Sequence, residues 1–199
     1  MNLLPLSLAA TAAYWALVTV VVGLGIAAAS VTLRTPRRWL VIAAATTVVV
    51  GIVATVLPHE KPFPGVSVIL GLAVLALSVL GGGPAVLFVL AIASKGSVRE
   101  GHHGGIVVER AVQEPTGELV LGEVLRGGTV IGVFERIATT ATIMAGFPEA
   151  IAVIVAIKSV GRFTELDVAE ARERFIIGTL VSLVWAGACG ALFRFAIGV

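Results

Sequence analysis

The stretch that decides the fold is TVIGVFERIATTATIMAG, residues 129–146. Its length and apolar residues are typical of a membrane-spanning helix, yet it carries Glu135 and Arg136 side by side. Because ionised groups are costly in hydrocarbon, such residues face a protein interior or a wet cavity and have partners there. The pair therefore marks a candidate functional site.

The composition of the whole chain is typical of multi-pass membrane proteins. Of its 199 residues, 58% are hydrophobic and 13% are charged, and the mean hydropathy is +1.06. A chain of this length holds about six spans of roughly 20 residues and leaves no room for a separate soluble domain. A net charge of +2 is too small to indicate nucleic-acid binding. We therefore predict a single all-α membrane domain, residues 1–199.

Six apolar blocks are the candidate spans. They run from Leu4 to Ala29, Trp39 to Leu57, Pro64 to Ala93, Thr129 to Gly146, Glu149 to Val160 and Phe175 to Ala191. Four of them have a length that suits one crossing. The fifth is short and must borrow a last turn through Phe163.

The third block is too long for one crossing and contains the sequence GGGP at Gly81 to Pro84. As one helix it would be about 45 Å long, against a hydrocarbon core of about 30 Å. Two interpretations stay open: a full span from Val66 to Leu80 followed by a short interfacial or re-entrant helix to Ala93, or two separate spans. Both predict a broken third segment.

The basic residues favour six spans with the N-terminus outside. Eleven of the 14 Lys and Arg side chains then lie on the inner side, as the positive-inside rule requires. They are Arg34, Arg37, Arg38, Lys95, Arg99, Arg110, Arg126, Lys158, Arg162, Arg172 and Arg174. Lys61 and Arg194 are left outside, and Arg136 lies within a span. A seventh span would spoil this pattern.

The longest connection, residues 95–128, lies between spans three and four. It contains the apolar, β-branched segments Ile106 to Val112 and Glu118 to Leu125. Between them, Glu114 to Gly117 (EPTG) fits a type I turn, with Pro second and Gly fourth. The sequence therefore predicts a small cytoplasmic β-hairpin, acting either as a lid or brace on the helix ends or as a flap that binds a partner.

Two helices carry stripes of small and polar residues. In the fourth span, residues on one face recur at spacings of four and three: Gly128, Gly132, Glu135, Thr139, Thr142 and Gly146. This face is predicted to point into the bundle, whereas Arg136, about 100° around the helix, is expected to reach the cytoplasmic interface by snorkelling. The last span has Gly178, Ser182, Ala186 and Gly190. We expect these helices to contact each other, or copies of themselves in a homodimer.

The fifth span supplies cations for Glu135. Lys158 and Arg162 are four residues apart, and Glu135 is expected at a similar depth on the neighbouring antiparallel helix. Either these groups form a network that fixes helix packing, or the basic side chains form a pocket for an anionic head group or a gate on an ion path. The candidate binding residues are Glu135, Arg136, Thr139, Lys158, Arg162, Arg174 and Thr179.

Motifs of enzymes and metal sites are mostly absent from the sequence. The glycines at 81–83 lack the Lys and Ser/Thr of a phosphate-binding loop. His102 and His103 are adjacent in an inner loop and His59 lies outside, so we expect no metal and no cofactor. We therefore expect a transporter, a channel or a protein that binds anionic membrane lipid. The alternative is a membrane-embedded enzyme acting on an anionic, phosphate-bearing lipid.

Three stretches in the C-terminal part resemble a family of bacterial multi-span membrane proteins of unknown function. They are GGTVIGVFER (residues 127–136), AIKSVGRF (156–163) and RFIIGTLVS (174–182). The resemblance covers roughly a third of the chain and includes the polar positions chosen above. It implies a protein of the bacterial inner membrane and carries no activity with it.

Overall fold

The computed structural model describes residues 4–57, 60–93, 106–110, 120–124, 127–161 and 169–198. These ranges contain six helices and one pair of strands. The helices are α1 (Leu4–Arg34), α2 (Arg38–Val56), α3 (Pro64–Ala93), α4 (Gly128–Ala145), α5 (Ala150–Gly161) and α6 (Ala169–Ala196). The strands, β1 (Ile106–Arg110) and β2 (Val120–Val124), lie between α3 and α4.

Four of the helices, α1, α2, α3 and α6, are long and apolar enough to cross a membrane. Their outer faces carry large apolar side chains that are more than half exposed, including Leu17, Leu24, Leu72 and Val184. A contiguous apolar surface of this kind is unfavourable in water and favourable in hydrocarbon. The structure thus supports the prediction of a helical membrane protein.

The helices α4 and α5 differ from the other four. At about 1.5 Å per residue, the 12 residues of α5 span about 18 Å, less than a hydrocarbon core of about 30 Å. The turn that was expected to lengthen α5 through Phe163 lies outside the described residues. The 18 residues of α4 include the charged pair. Crossing by four helices is therefore supported, and crossing by all six stays a prediction.

The predicted break in the third segment is wrong, because α3 is one continuous helix with Pro84 inside it. Two of its glycines provide space for side chains from other helices. A Cβ on Gly81 would lie 2.3 Å from Cζ2 of Trp185, and one on Gly82 would lie 2.2 Å from Cδ of Arg136. Proline removes one N–H from the helix, and packing by neighbouring helices offsets this loss.

The bundle is organised around α3, which contacts α1, α2, α4 and α6. Its buried residues Leu70, Val74 and Leu77 lie in the core with Trp15 of α1 and Leu192 of α6. By contrast, α5 packs on α4 and has no buried residue of its own. The core therefore forms without α5, which is attached to the outside of the bundle.

The strands β1 and β2 pair antiparallel, with Ile106 opposite Val124 and Arg110 opposite Val120. Each lies within one of the two segments that the sequence analysis assigned to the hairpin. The predicted EPTG turn falls at residues 114–117, outside the described residues. The cytoplasmic position of the pair and its role as lid or flap stay predictions.

Candidate functional site

The charged pair lies in the middle of α4, a helix with glycine at both ends. Gly127 (φ 76°) precedes it and Gly146 (φ 85°) ends it, and glycine adopts such left-handed backbone readily. The backbone N–H of Phe147 then donates to the carbonyl of Thr142 at 2.8 Å, which closes the last turn. This compact turn leads directly into α5, so α5 returns along α4 toward the level of the pair.

Both side chains of the pair are buried, with 5% of Glu135 and 5% of Arg136 exposed. Neighbouring residues on a helix point about 100° apart, and both can be buried here because α3, α5 and α6 each contact α4. The expectation that Arg136 snorkels to the interface is therefore wrong. Its side chain lies inside the protein, where the glycines of α3 leave room for it.

The carboxylate of Glu135 forms an ion pair with Lys158 of α5, whose Nζ donates a hydrogen bond to Oε2. This ion pair joins α4 to α5, a contact that both interpretations of the sequence allow. The same Nζ lies 5.5 Å from the ring centroid of Phe175 on α6, a cation–π distance. The other oxygen, Oε1, is buried and has no hydrogen-bond partner within the described ranges. Arg162, the second predicted cation, lies outside those ranges.

The guanidinium of Arg136 occupies a space lined by glycine. Its Cδ and Nε lie against Gly82 of α3, and its Nη1 is 3.1 Å from the position that a Cβ on Gly132 would take. The Nε is buried and makes no hydrogen bond to any described residue. A buried donor on a charged group is costly without a partner. The surrounding residues that the structure describes thus confine the guanidinium but leave its Nε–H without a hydrogen bond.

Three hydroxyl groups on α4 and α6 are also buried without a described partner. They belong to Thr139 of α4 and to Thr179 and Ser182 of α6. Of the candidate residues, the structure joins Glu135 to Lys158 and buries Arg136, Thr139 and Thr179 in the contacting helices α4 and α6. Arg174 is half-buried on α6, five residues before Thr179.

A neighbouring polar network is fully paired and ties three helices together. The hydroxyl of Thr140 donates to the carbonyl of Ala186 at 3.1 Å. Because that uses its only proton, the hydroxyl of Ser78, 2.7 Å away, must be the donor to Thr140. One residue along α6, Nε1 of Trp185 donates to the carbonyl of Leu77 at 3.3 Å. This network holds α3, α4 and α6 in register directly beside the unpaired groups.

The two helices that carry the small-residue stripes contact each other inside one chain, but the α6 stripe meets Thr140 and Ile143, which lie outside the α4 stripe. A Cβ on Gly190 of α6 would lie 2.8 Å from Cβ of Ile143 on α4, and Ala186 accepts the hydrogen bond of Thr140. Gly178 instead faces Val86 of α3. The α6 stripe is thus covered by helices of the same chain.

Sequence reasoning missed two parts of this site. Ser182 belonged to the α6 stripe and was assigned to packing, although a hydroxyl at a four-residue spacing is also a candidate ligand. Gly82 was assigned to a helix break, although it makes the space for Arg136. No three His, Cys, Asp or Glu side chains gather at a common point in the part of the chain that the structure describes.

Comparison with known proteins gives no match: no family model, no curated protein and no solved structure is similar to this chain. The chemistry of the site must therefore be argued from its own residues. Glu135, Arg136 and Lys158 together carry one net positive charge when all three are ionised. The buried groups without described partners are one guanidinium N–H, one carboxylate oxygen and three hydroxyls.

Proposed function

We propose that this protein is a multi-pass membrane protein that binds an anionic ligand at the site of Glu135, Arg136 and Lys158. Its role would be that of a transporter, a channel or a protein that binds anionic lipid. The observation that carries the proposal is the buried Arg136, whose Nε lacks a described partner while the nearby carboxylate is already paired with Lys158.

Charge balance supports a bound anion. A buried cation needs a counter-charge, because an uncompensated one costs several kcal/mol even after relaxation. Among the described residues of the site, Glu135 supplies one negative charge for the two positive charges of Arg136 and Lys158, which leaves an excess of one. A bound anion would balance that excess. Arg136 is also suited to the task, since its planar fork binds carboxylate and phosphate oxygens in pairs.

The proposal also covers how the helices and loops are arranged in the membrane. All six helices would lie in the bilayer, with the N-terminus outside and the loops that hold eleven cations inside. The ion pair between Glu135 and Lys158 supports this arrangement, because pairing lowers the cost of placing α4 and α5 in hydrocarbon. The resemblance noted above supports a bacterial inner membrane.

The test is native mass spectrometry of the protein released from its own membrane. Three proteins are compared: the wild type, Arg136→Gln, and Arg37→Gln as a matched loss of one cation at an exposed position. We expect the wild type and the control to retain an anionic ligand. Arg136→Gln should bind it at least about tenfold more weakly, since a hydrogen bond to a charged group contributes about 1.5–3 kcal/mol.

Two other results would change the proposal. Equal retention by all three proteins would show that surface charge, not the buried site, holds the anion. A retained lipid whose mass shows that it has been chemically altered in the wild type alone would instead support a membrane-embedded enzyme, with Oε1 of Glu135 as the candidate base.

A further inference from the structure

The five buried polar atoms without described partners lie on helices that face each other. Three are on α4, namely Oε1 of Glu135, Nε of Arg136 and Oγ1 of Thr139, and two are hydroxyls on α6, those of Thr179 and Ser182. Buried polar atoms in folded proteins nearly always have partners. Five exceptions on two contacting helices therefore indicate something that binds between them.

The spacing of residues on α6 shows that its two hydroxyls face α4. Thr179, Ser182 and Ala186 are separated by three and four residues and share one face. The position of this face is fixed at one end by Ala186, which accepts the hydrogen bond of Thr140, and toward the other end by Phe175, whose ring lies near Lys158. The hydroxyls of Thr179 and Ser182 thus lie between a contact with α4 at Ala186 and a contact with α5 at Phe175.

The guanidinium of Arg136 extends into the same region. Arg136 is four residues, or about one turn, before Thr140. Its Nη1 lies near Gly132, another turn in that direction, so the side chain extends toward the level of Thr179 and Ser182. Side chains on helices generally point toward the N-terminus in this way.

The unpaired groups have a specific chemical pattern. Arg136 and the hydroxyls of Thr139, Thr179 and Ser182 can all donate hydrogen bonds, whereas Oε1 of Glu135 can only accept. A ligand that satisfies all of them needs several acceptor oxygens and one proton of its own. A fully deprotonated anion would leave Oε1 unpaired and would be repelled by it.

We propose that the site takes a phosphate group that carries a proton, either inorganic phosphate or the phosphate monoester of a lipid; this rests on the anion-binding function proposed above. Its oxygens accept from Arg136 and from the hydroxyls of Thr139, Thr179 and Ser182, and its O–H donates to Oε1 of Glu135. Sulfate and phosphodiester head groups have no such proton at neutral pH, and chloride has neither the proton nor the several oxygens.

The first experiment compares ligands on the purified full-length protein in detergent at pH 6, where phosphate monoesters keep a proton on a substantial fraction of molecules, since their second pKa is about 6. Calorimetric titration uses inorganic phosphate, sulfate and chloride. Native mass spectrometry uses phosphatidic acid, a monoester, and phosphatidylglycerol, a diester. We expect phosphate to bind at least about tenfold more tightly than sulfate, because a site built for an O–H rejects the analogue without it.

The two sources of phosphate give different results in this comparison. Binding of inorganic phosphate with no preference between the two lipids assigns the site to a free anion. Retention of phosphatidic acid over phosphatidylglycerol assigns it to a lipid head group. If phosphate and sulfate bind equally well, the proposed proton contact is wrong but anion binding stands. The same conclusion follows if both lipids bind equally well and inorganic phosphate does not bind. Binding of none of the five probes would overturn both proposals.

The second experiment separates ligand binding from structural effects. Ser182→Ala and Thr179→Val remove hydroxyls that have no described partner, so the ligand-free protein should melt at the same temperature or higher. Phosphate affinity should nevertheless fall about three- to tenfold in each. Ser159→Ala and Thr46→Val, whose hydroxyls bond to their own helices at exposed positions, are the matched controls.

The third experiment tests the proton contact itself. Glu135→Gln replaces the acceptor oxygen with an amide that can donate, so the preference for phosphate over sulfate should fall to near one. A stabilised Ser182→Ala protein with unchanged phosphate affinity would contradict the site, and a Glu135→Gln protein that still discriminates against sulfate would contradict the role of Oε1.

Discussion

Arg136 of α4 packs directly on the bare backbone of Gly82 in α3, at a point where a Cβ would lie 2.2 Å from Cδ of the arginine and 2.8 Å from its Nε. The arginine and the glycine are 54 positions apart in the chain, yet Arg136 can be buried here only because residue 82 has no side chain. Glycine inside a helix usually lowers stability, but here it leaves the space that a buried guanidinium needs.

Substitution of Gly82 should therefore be much more harmful than substitution of the next glycine. Gly82→Ala forces Arg136 to move and should destabilise the protein by about 1–3 kcal/mol, the usual effect of overpacking. Gly83→Ala is the matched control, because its Cβ would be 3.9 Å from Nη2, an ordinary contact. Thermal unfolding in detergent measures both, and equal melting temperatures would show that Arg136 moves aside at little cost.

The neighbouring contact between Gly81 and Trp185 predicts a non-additive pair of substitutions. Gly81→Ala would place a Cβ 2.3 Å from Cζ2 of the indole and should lower stability by about 1–3 kcal/mol. Trp185→Phe removes that part of the ring, so Gly81→Ala should cost less in its presence. A double-mutant cycle should give a coupling of about 1 kcal/mol or more. Strictly additive losses of stability would show that the two residues do not interact.

Because Glu135 and Lys158 form an ion pair, we expect that removing one partner lowers the stability of the protein more than removing both. Lys158→Met leaves both oxygens of a buried carboxylate unpaired and should destabilise the protein by up to about 3 kcal/mol, the low end for buried pairs because the lysine side chain is 15% exposed. The double variant with Glu135→Gln should recover much of this loss. Lys61→Met, at an exposed position, is the control. A double variant less stable than Lys158→Met would be inconsistent with this account.

The paired hydroxyl network predicts the opposite behaviour from the unpaired hydroxyls nearby. Thr140→Val removes the donor to Ala186 and the acceptor for Ser78, and should cost about 1–3 kcal/mol. Ser182→Ala, in contrast, should not lower the stability of the ligand-free protein. Comparing the two melting temperatures tests the distinction, and a similar loss in both would mean that Ser182 also serves packing.

Hydropathy predicts most helix positions but not all helix ends. The apolar block from Pro64 to Ala93 coincides with α3, because an apolar run in a membrane protein is a direct signal. The block that starts at Phe175 corresponds to α6, which begins six residues earlier, at Ala169. The added turns contain Arg172 and Glu173, which are exposed. Such residues favour helix formation but lower the mean hydropathy, so hydropathy alone places the start of α6 too late in the chain.

The candidate site was predictable where it depends on local geometry. Glu135 and Lys158 meet because a short turn returns α5 along α4, and an antiparallel hairpin places such positions side by side. The burial of Arg136 was not predictable in the same way. It depends on Gly82 and on the packing of three helices, and the sequence of α4 holds no information on the space that α3 leaves.

The position of the ion pair also bears on how the chain enters its membrane. An ionised side chain at the centre of a span opposes insertion by about 2.5–3.5 kcal/mol, and α4 holds two such groups in succession. The partner of Glu135 is 23 residues later in the chain, so it leaves the ribosome after α4 is complete. In the six-crossing arrangement proposed above, α4 would enter the bilayer together with α5, as one hairpin in which Glu135 is already paired with Lys158.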